Sequence, residues 1–270
     1  MTEKKKFAVI GDPIAHSLSP VMHNAVFSFL GLDCTYEAIR VPAKDLGARF
    51  KEMESEFSGI NVTIPHKIGV ITYLDGLDGI AKSIGAVNTV KIENGKATGY
   101  NTDGIGAVMA LEDECGDIKK KNVLLLGAGG AARAIAFACA QEKAEVSIWN
   151  RTIEKAISLA KEVGGSVCLD LNILDEFDVI INSTSVGMTP NVNEALLEAG
   201  QIPKNSVVMD IVYNPLETQL LKEAEKAGAR TIDGVEMFVN QGRESLRVWL
   251  GIDAPKDLMR KAVLEMLDNG

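Results

Sequence analysis

The chain is poor in the residues that announce special chemistry or a special environment. Among 270 residues there are 4 cysteines, 3 histidines and 2 tryptophans, and aromatic residues make up only 5%. Cys34, Cys115, Cys139 and Cys168 are scattered with no CxxC spacing, which excludes a zinc ribbon and argues for free thiols in a reducing compartment. His16, His23 and His66 offer one i, i+7 pair at best, so no metal site is expected. No segment approaches the ~20 apolar residues of a membrane span, and the apolar stretch 7–10 meets Gly11 too soon to form a signal peptide core. The lysine triplets at 4–6 and 119–121 read as surface flanks of strands. With 37 acidic against 28 basic residues and a net charge of −9, a nucleic-acid partner is not expected. These absences point to a cytoplasmic, metal-free globular protein with no membrane segment.

What is present is an alternation. Short apolar runs at 7–10, 36–41 and 60–64 are each followed by helix-length amphipathic stretches, at 19–30, 44–57 and before Val87. This predicts βαβ units and a mainly parallel sheet. Asn94-Gly95, between the strand-like 90–92 and 97–100, predicts a type I′ hairpin that closes the first unit near residue 100. A helix over 104–114 then leads into a second βα series, with strands expected at 123–126, 145–149, 179–181, 207–210 and 229–232. After Gly234 the chain is expected to be helical to its end, with a fresh start at Pro255. The fold class is therefore α/β in two domains, residues 1–102 with 238–270 and residues 103–237.

Two sites carry chemistry. Residues 59–64 form an apolar, β-branched run ended by Pro65, and Lys67 follows at once. Proline stops the ladder, so a lysine is presented from the end of a strand. Asn88-Thr89 and Asn101-Thr102-Asp103 also fall at strand ends. A lysine, a carboxylate and several amides and hydroxyls suit the polarisation of an alcohol or ketone. The second site is the strand–turn–helix of residues 121–134, with Gly127-Ala128-Gly129-Gly130-Ala131-Ala132 in the form G-x-G-x-x-A. Here the first glycine makes the turn, the second admits a pyrophosphate to the backbone, and Ala132 lets helix and strand pack closely. The next strand ends in Asn150-Arg151-Thr152, without the carboxylate that selects NAD. Arg151 instead offers a planar fork for a 2′-phosphate, which favours NADP. Thr152 equally fits the N-cap of the helix that follows, Ser19-Pro20 fits an N-cap and N1 pair, and Asp103 fits a cap before Gly104.

With these pieces in order, the chain resembles the shikimate dehydrogenase family. The resemblance rests on residues 11–20, 61–67, 85–89, 99–104, 127–131, 150–152, 182–188, 210–215 and Gln241. It implies a substrate-binding α/β domain and a Rossmann-type NADP-binding domain with a cleft between them. It also implies reversible reduction of 3-dehydroshikimate to shikimate, within aromatic amino-acid (chorismate) biosynthesis, by a monomer or homodimer acting on a small molecule. By motif match, Lys67 and Asp103 are the catalytic pair. The substrate contacts are Ser17, Ser19, Thr63, Asn88, Asp103, Tyr213 and Gln241. The cofactor contacts are Gly127, Ala128, Gly129, Gly130, Ala131, Asn150, Arg151, Thr152, Lys155, Thr184, Met188, Ile211 and Gly234. The chain departs from the family at Glu236 and at Gly242-Arg243-Glu244, which are bulkier or more charged than usual there. A quinate-specific relative and a silent binding protein on the same scaffold are the competing readings. The paired serines speak against the first, because quinate needs room for an extra hydroxyl beside its carboxylate. The intact Lys67, Asp103 and glycine turn speak against the second. Gly104, Gly106 and Gly234 stand where hinges of a closing enzyme are expected.

Overall fold

The computed structural model describes residues 4–268, and the chain divides into two compact units. One comprises the residues up to Thr102 together with those from Gln241 onward, and the other runs Asp103–Asn240.

In the first unit β1 (Lys5–Gly11), α1 (Ser19–Phe29), β2 (Cys34–Arg40), α2 (Leu46–Met53) and β3 (Gly59–Val62) follow the βα alternation. Then come β4 (Gly76–Leu77), α3 (Gly79–Ile84), β5 (Thr89–Glu93) and β6 (Lys96–Tyr100). The sheet order is β2-β1-β3-β5-β6-β4. β1 runs parallel to both β2 and β3, whereas β5 is antiparallel to β3 and β6. The turn between β5 and β6 has Asn94 at φ 54° and Gly95 at φ 69°, the two left-handed positions of a type I′ hairpin. The expected helix over 44–57 is shorter, with one 3-10 turn at Ala43–Asp45 before α2. The expected strand over 60–64 ends at Val62 because the chain turns at Thr63, whose carbonyl accepts the His66 N–H at 2.9 Å.

The second unit contains α4 (Asp103–Cys115), β7 (Asn122–Leu126), α5 (Gly130–Gln141), β8 (Glu145–Trp149) and α6 (Ile153–Val163). It continues with β9 (Ser166–Val167), β10 (Val179–Asn182), β11 (Val207–Asp210), α7 (Gln219–Ala227) and β12 (Arg230–Ile232). All strands are parallel, in the order β12-β11-β10-β7-β8-β9. The order reverses direction at the β7–β10 pair, which is the Rossmann topology. Helices cover both faces, so β10 and β11 are buried at every position and read as unbroken apolar runs ended by one polar residue.

Helix α8 (Gly234–Leu250) carries the chain back to the first unit, and α9 (Lys256–Asp268) packs there on α1. Trp249 on α8 lies flat over Gly59, and its indole N–H donates to the Val90 carbonyl at 2.8 Å. Gly104 and Gly234, at two of the three positions expected as hinges, are closely packed. A Cβ at Gly104 would overlap the Ala134 carbonyl oxygen, and one at Gly234 would sit 2.6 Å from the Val212 carbonyl oxygen. Among the described residues, no helix is long and apolar enough to cross a membrane.

Candidate active site and cofactor site

In the first unit the candidate residues gather at the carboxyl end of β3. The Val62 N–H donates to the Asn88 carbonyl (2.8 Å), and the Val87 N–H donates to the Lys67 carbonyl (2.8 Å). Lys67 and Asn88 are thereby held on adjoining segments. The turn that presents Lys67 is anchored by buried His66, whose Nε2 lies 2.6 Å from the Val41 carbonyl oxygen and therefore carries the proton. Ile64 accepts the Asp12 N–H (3.0 Å), bringing the loop after β1 alongside. This approach requires glycine at position 11, where a Cβ would lie 2.6 Å from Thr63 Cγ2. The loop carries Ser17, half-buried, and Ser19, buried.

Ser19 does not cap α1. Leu18 occupies the N-cap position, and it is Ser17 Oγ that accepts the Ser19 N–H, at 3.3 Å. Ser17 Oγ acts there as an acceptor, so its own proton remains available to a carboxylate.

Beneath these residues lies a neutral polar network that the chain order does not reveal. The Tyr36 hydroxyl donates to Asn61 Oδ1 (2.7 Å). The two hydrogens of the Asn61 amide are shared among the Asn88 carbonyl (3.1 Å), Thr89 Oγ1 (3.0 Å) and Ser245 Oγ (3.0 Å). Asn88 Oδ1 accepts the Thr102 N–H at 2.7 Å, and the Ser245 hydroxyl donates to the Gln241 carbonyl at 3.0 Å. The network fixes Asn88 from behind and ties Gln241, one helical turn before Ser245, to β3. The only hint of it in the sequence is Asn61, a lone amide inside an apolar strand.

In the second unit the glycine turn connects β7 to α5. Gly127 has φ +116°, and its N–H donates to the Trp149 carbonyl at 2.7 Å, joining the turn to the end of β8. Ala128 is half-buried behind Gly129 and Gly130, which are exposed, and no protein atom stands within 4 Å of a Cβ built on either glycine. The space beside the two glycines at the helix start is therefore open. The strand–turn–helix thus fits a pyrophosphate, and buried Ala132 allows the close packing beneath it. Two residues past Trp149, Arg151 is exposed, and the Asn150 amide donates to the Thr152 carbonyl (2.8 Å). Thr152 stands at the N-cap of α6 without a side-chain capping bond, and Lys155 is exposed in the first turn of the same helix. The end of β8 thus fits a ribose 2′-phosphate, with a cation, an amide and an uncommitted hydroxyl side by side.

On the other side of the glycine turn, the Ser183 hydroxyl donates to the Leu126 carbonyl at 2.7 Å. Thr184 follows half-buried, and Met188 is exposed further along the same loop. Ile211 is half-buried after β11, and Gly234 packs on its carbonyl oxygen. Tyr213 stacks against Phe238 with ring centroids 5.2 Å apart, and burial raises its pKa above the usual phenol value. Asp103 is buried at the start of α4.

The strand order, the open glycine turn and its placement at the switch between β7 and β10 define a two-domain α/β protein of the dinucleotide-binding class. Residues 9–90 match the shikimate dehydrogenase substrate binding domain, 110–238 the shikimate / quinate 5-dehydrogenase family, and 234–264 the shikimate 5'-dehydrogenase C-terminal domain. The chain belongs to the shikimate dehydrogenase family. It is 50% identical to the shikimate dehydrogenase (NADP(+)) of Methanococcoides burtonii, across 98% of this chain and 99% of that one. A crystal structure of a shikimate dehydrogenase in complex with NADP+ superposes with a TM-score of 0.94 at 46% identity, covering 98% of this chain and 96% of that one. The Thermus thermophilus enzyme in complex with NADP(H) and shikimate gives 0.92 at 39% identity, covering 97% and 99%.

Proposed function

We propose that the chain is an NADP-dependent shikimate dehydrogenase, reducing 3-dehydroshikimate reversibly to shikimate. The observation that carries this reading is the backbone pairing that holds Lys67 beside Asn88 at the end of β3, in the unit that also carries Ser17, Ser19, Thr63 and Gln241. NADPH, when bound, supplies the hydride. Lys67 as an ammonium gives its proton to the carbonyl oxygen as charge develops there, and takes it back in the oxidation direction. Asp103 holds that ammonium and a neighbouring ring hydroxyl in line. Ser17 and Ser19 bind the substrate carboxylate by charge-assisted hydrogen bonds, without a cation that would over-stabilise the ground state. Thr63, Asn88, Tyr213 and Gln241 contact the ring hydroxyls. Gly127 to Ala131 receive the pyrophosphate, and Asn150, Arg151, Thr152 and Lys155 receive the 2′-phosphate. Thr184, Met188, Ile211 and Gly234 line the nicotinamide end.

Such an enzyme, drawing on NADPH for a biosynthetic reduction, is expected to work in the cytoplasm. The test is absorbance of reduced nicotinamide on adding shikimate and NADP to the purified chain. Quinate for shikimate, or NAD for NADP, is expected to lower kcat/KM by about tenfold or more, the worth of one charge-assisted contact or one misfitted hydroxyl. No signal with shikimate and either cofactor overturns the reading. A higher kcat/KM with quinate overturns the substrate assignment alone.

A further inference from the structure

Asp210 ends β11 where Asn182 ends β10. The two are register partners, and neither is accessible to solvent. The Asp210 carboxylate accepts three bonds. Oδ1 takes the Asn182 amide at 2.9 Å and the Val212 N–H at 3.0 Å, and Oδ2 takes the Thr218 hydroxyl at 2.7 Å. Thr218 Oγ1 in turn accepts the Leu221 N–H at 3.4 Å and caps α7. On the far side, Asn182 Oδ1 accepts both the N–H (3.0 Å) and the hydroxyl (2.7 Å) of Thr184, while its amide also reaches the Val186 carbonyl at 3.3 Å. One carboxylate is thus the junction of the loop after β10, the loop after β11 and the start of α7.

The loop after β10 lies on the glycine turn. A Cβ at Gly127 would stand 2.7 Å from Ser183 Oγ and 3.0 Å from Thr184 Cγ2. In a sheet of this order a dinucleotide enters at the carboxyl ends of the strands flanking the switch point, here β7 and β10. The two loops joined by Asp210 therefore form one wall of that crevice. Burial pushes the Asp210 carboxyl up to about 6 against the pull of its three donors, so its charge is held at neutral pH without a cationic neighbour among the causes. An apolar side chain at this position would leave the Asn182 amide, the Val212 N–H and the Thr218 hydroxyl without their acceptor, so the arrangement of both loops depends on this carboxylate.

We propose that Asp210 is a positioning residue for the hydride-transfer end of the cofactor, fixing the loops after β10 and β11 in the single arrangement that presents Thr184 and Ile211 to it. The proposal rests on the dehydrogenase reading above. The experiment compares wild type with Asp210→Asn, which keeps the shape and turns one acceptor oxygen into a donor facing donors. Hydrogen exchange is followed on the ligand-free chain, and steady-state kinetics use shikimate carrying hydrogen or deuterium at the carbon oxidised.

Exchange in 183–188 and 211–215 should be at least ~10-fold faster in Asp210→Asn, with 122–141 unchanged. The kcat should fall ~10–100-fold, as misplacement by about an ångström does. The KM for shikimate should stay within about twofold, and the isotope effect on kcat should rise because hydride transfer becomes slower relative to the other steps. Wild-type exchange in both loops, or a wild-type kcat and isotope effect, overturns the proposal. If Asp210→Asn does not fold, Thr218→Val removes one of the three donors at constant shape. It should show the same pattern more weakly, with Thr218→Ser close to wild type, and equal behaviour of Val and Ser overturns the proposal. A wild-type chain inactive with shikimate sinks the dehydrogenase reading itself, whereas an active wild type with an unaffected Asp210→Asn sinks only the inference.

Discussion

The two units bury polarity beneath their sites in opposite ways. Under the candidate substrate site the groups are neutral: Tyr36, Asn61, Asn88, Thr89, Thr102 and Ser245 satisfy one another with no carboxylate or ammonium among them. Under the cofactor loops the same task falls to one carboxylate, Asp210, with Asn182 and Thr218. A neutral network is indifferent to pH, and it holds Asn88 and the start of the α8 segment in the first unit whatever the solvent. A buried carboxylate makes stronger bonds but loses them when protonated. The hydrogen bonds that hold Asn88 are thus insensitive to pH across the acid range, whereas those around Asp210 are conditional. The exception in the first unit is His23. It is fully buried and stacked on Tyr36 at 4.4 Å, and neither ring nitrogen has a hydrogen-bond partner.

The sharpest division between the units is functional. Lys67→Met keeps the stem and removes charge and donors, so kcat with shikimate should fall ~10²–10⁴-fold, the usual worth of a general acid. KM should change modestly and the circular dichroism should match wild type. Asp103→Asn should be milder, losing part of both parameters. A Lys67→Met enzyme with near-normal kcat and a greatly raised KM would make the lysine an anchor only.

Next in size is the response to acid, where the units should part. Burial lowers the His23 pKa from 6.5 to about 3 in the folded chain. Below pH 6.5 the unfolded chain takes up a proton that the folded chain refuses, so stability present at neutral pH is lost as pH falls through that window. The full loss is on the order of 5 kcal/mol. Asp210 runs the other way, because its folded pKa is raised from 3.8 to about 6. Its contribution is fully present below pH 4 and is lost as pH rises through 6. His23→Phe, which keeps a stacking ring, should therefore flatten the fall in melting temperature between pH 6.5 and 4. An unchanged slope would mean that His23 is not the acid-sensitive group.

Cofactor choice should respond only in the second unit. If Arg151 holds the 2′-phosphate as proposed, Arg151→Ala removes a bidentate contact worth about 1.5–3 kcal/mol, so KM for NADP should rise roughly tenfold to over a hundredfold. KM for NAD and kcat should barely move. Equal damage with both cofactors would refute the phosphate role.

The smallest expected effect on the fold is the most selective. Gly129 has an extended backbone (φ −85°, ψ −169°) that any residue adopts, and a Cβ there meets nothing within 4 Å. Gly129→Ala should therefore leave the melting temperature of the free chain unchanged while weakening NADP binding in calorimetry. Gly104→Ala drives a methyl into the Ala134 carbonyl and should cost about 1–3 kcal/mol of stability without regard to cofactor. A stability loss at Gly129→Ala equal to that at Gly104→Ala would remove the distinction between a glycine kept for a ligand and one kept for packing.

Much of this architecture is written locally. β7, β10 and β11 are legible as apolar runs because a parallel sheet covered on both faces buries every side chain. The β5–β6 hairpin follows from Asn94-Gly95, since few other pairs accept two left-handed residues in succession. The glycine turn, Arg151 and the Pro65-x-Lys67 presentation are likewise decided within a few residues, as are the candidate roles that depend on them. β4 and β9, two residues each, leave no periodicity to read. Ser19 resembles an N-cap by type and position, yet Leu18 stands at the N-cap of α1, and the close approach of Ala134 to Gly104 has no signal in the local sequence. The partners in the polar networks lie beyond any local signal, which extends only to the lone amide Asn61 in its apolar strand. Asn61 meets Ser245 across 184 residues and Asp210 meets Asn182 across 28. Hydrogen bonds are selected by distance and angle in the folded chain, whereas a sequence declares only which groups exist to make them. The chain's amino acids alone thus determined its family, its longer strands and the candidate groups at its loops. Tertiary packing alone decided which buried amide, hydroxyl or carboxylate holds each of those loops in place.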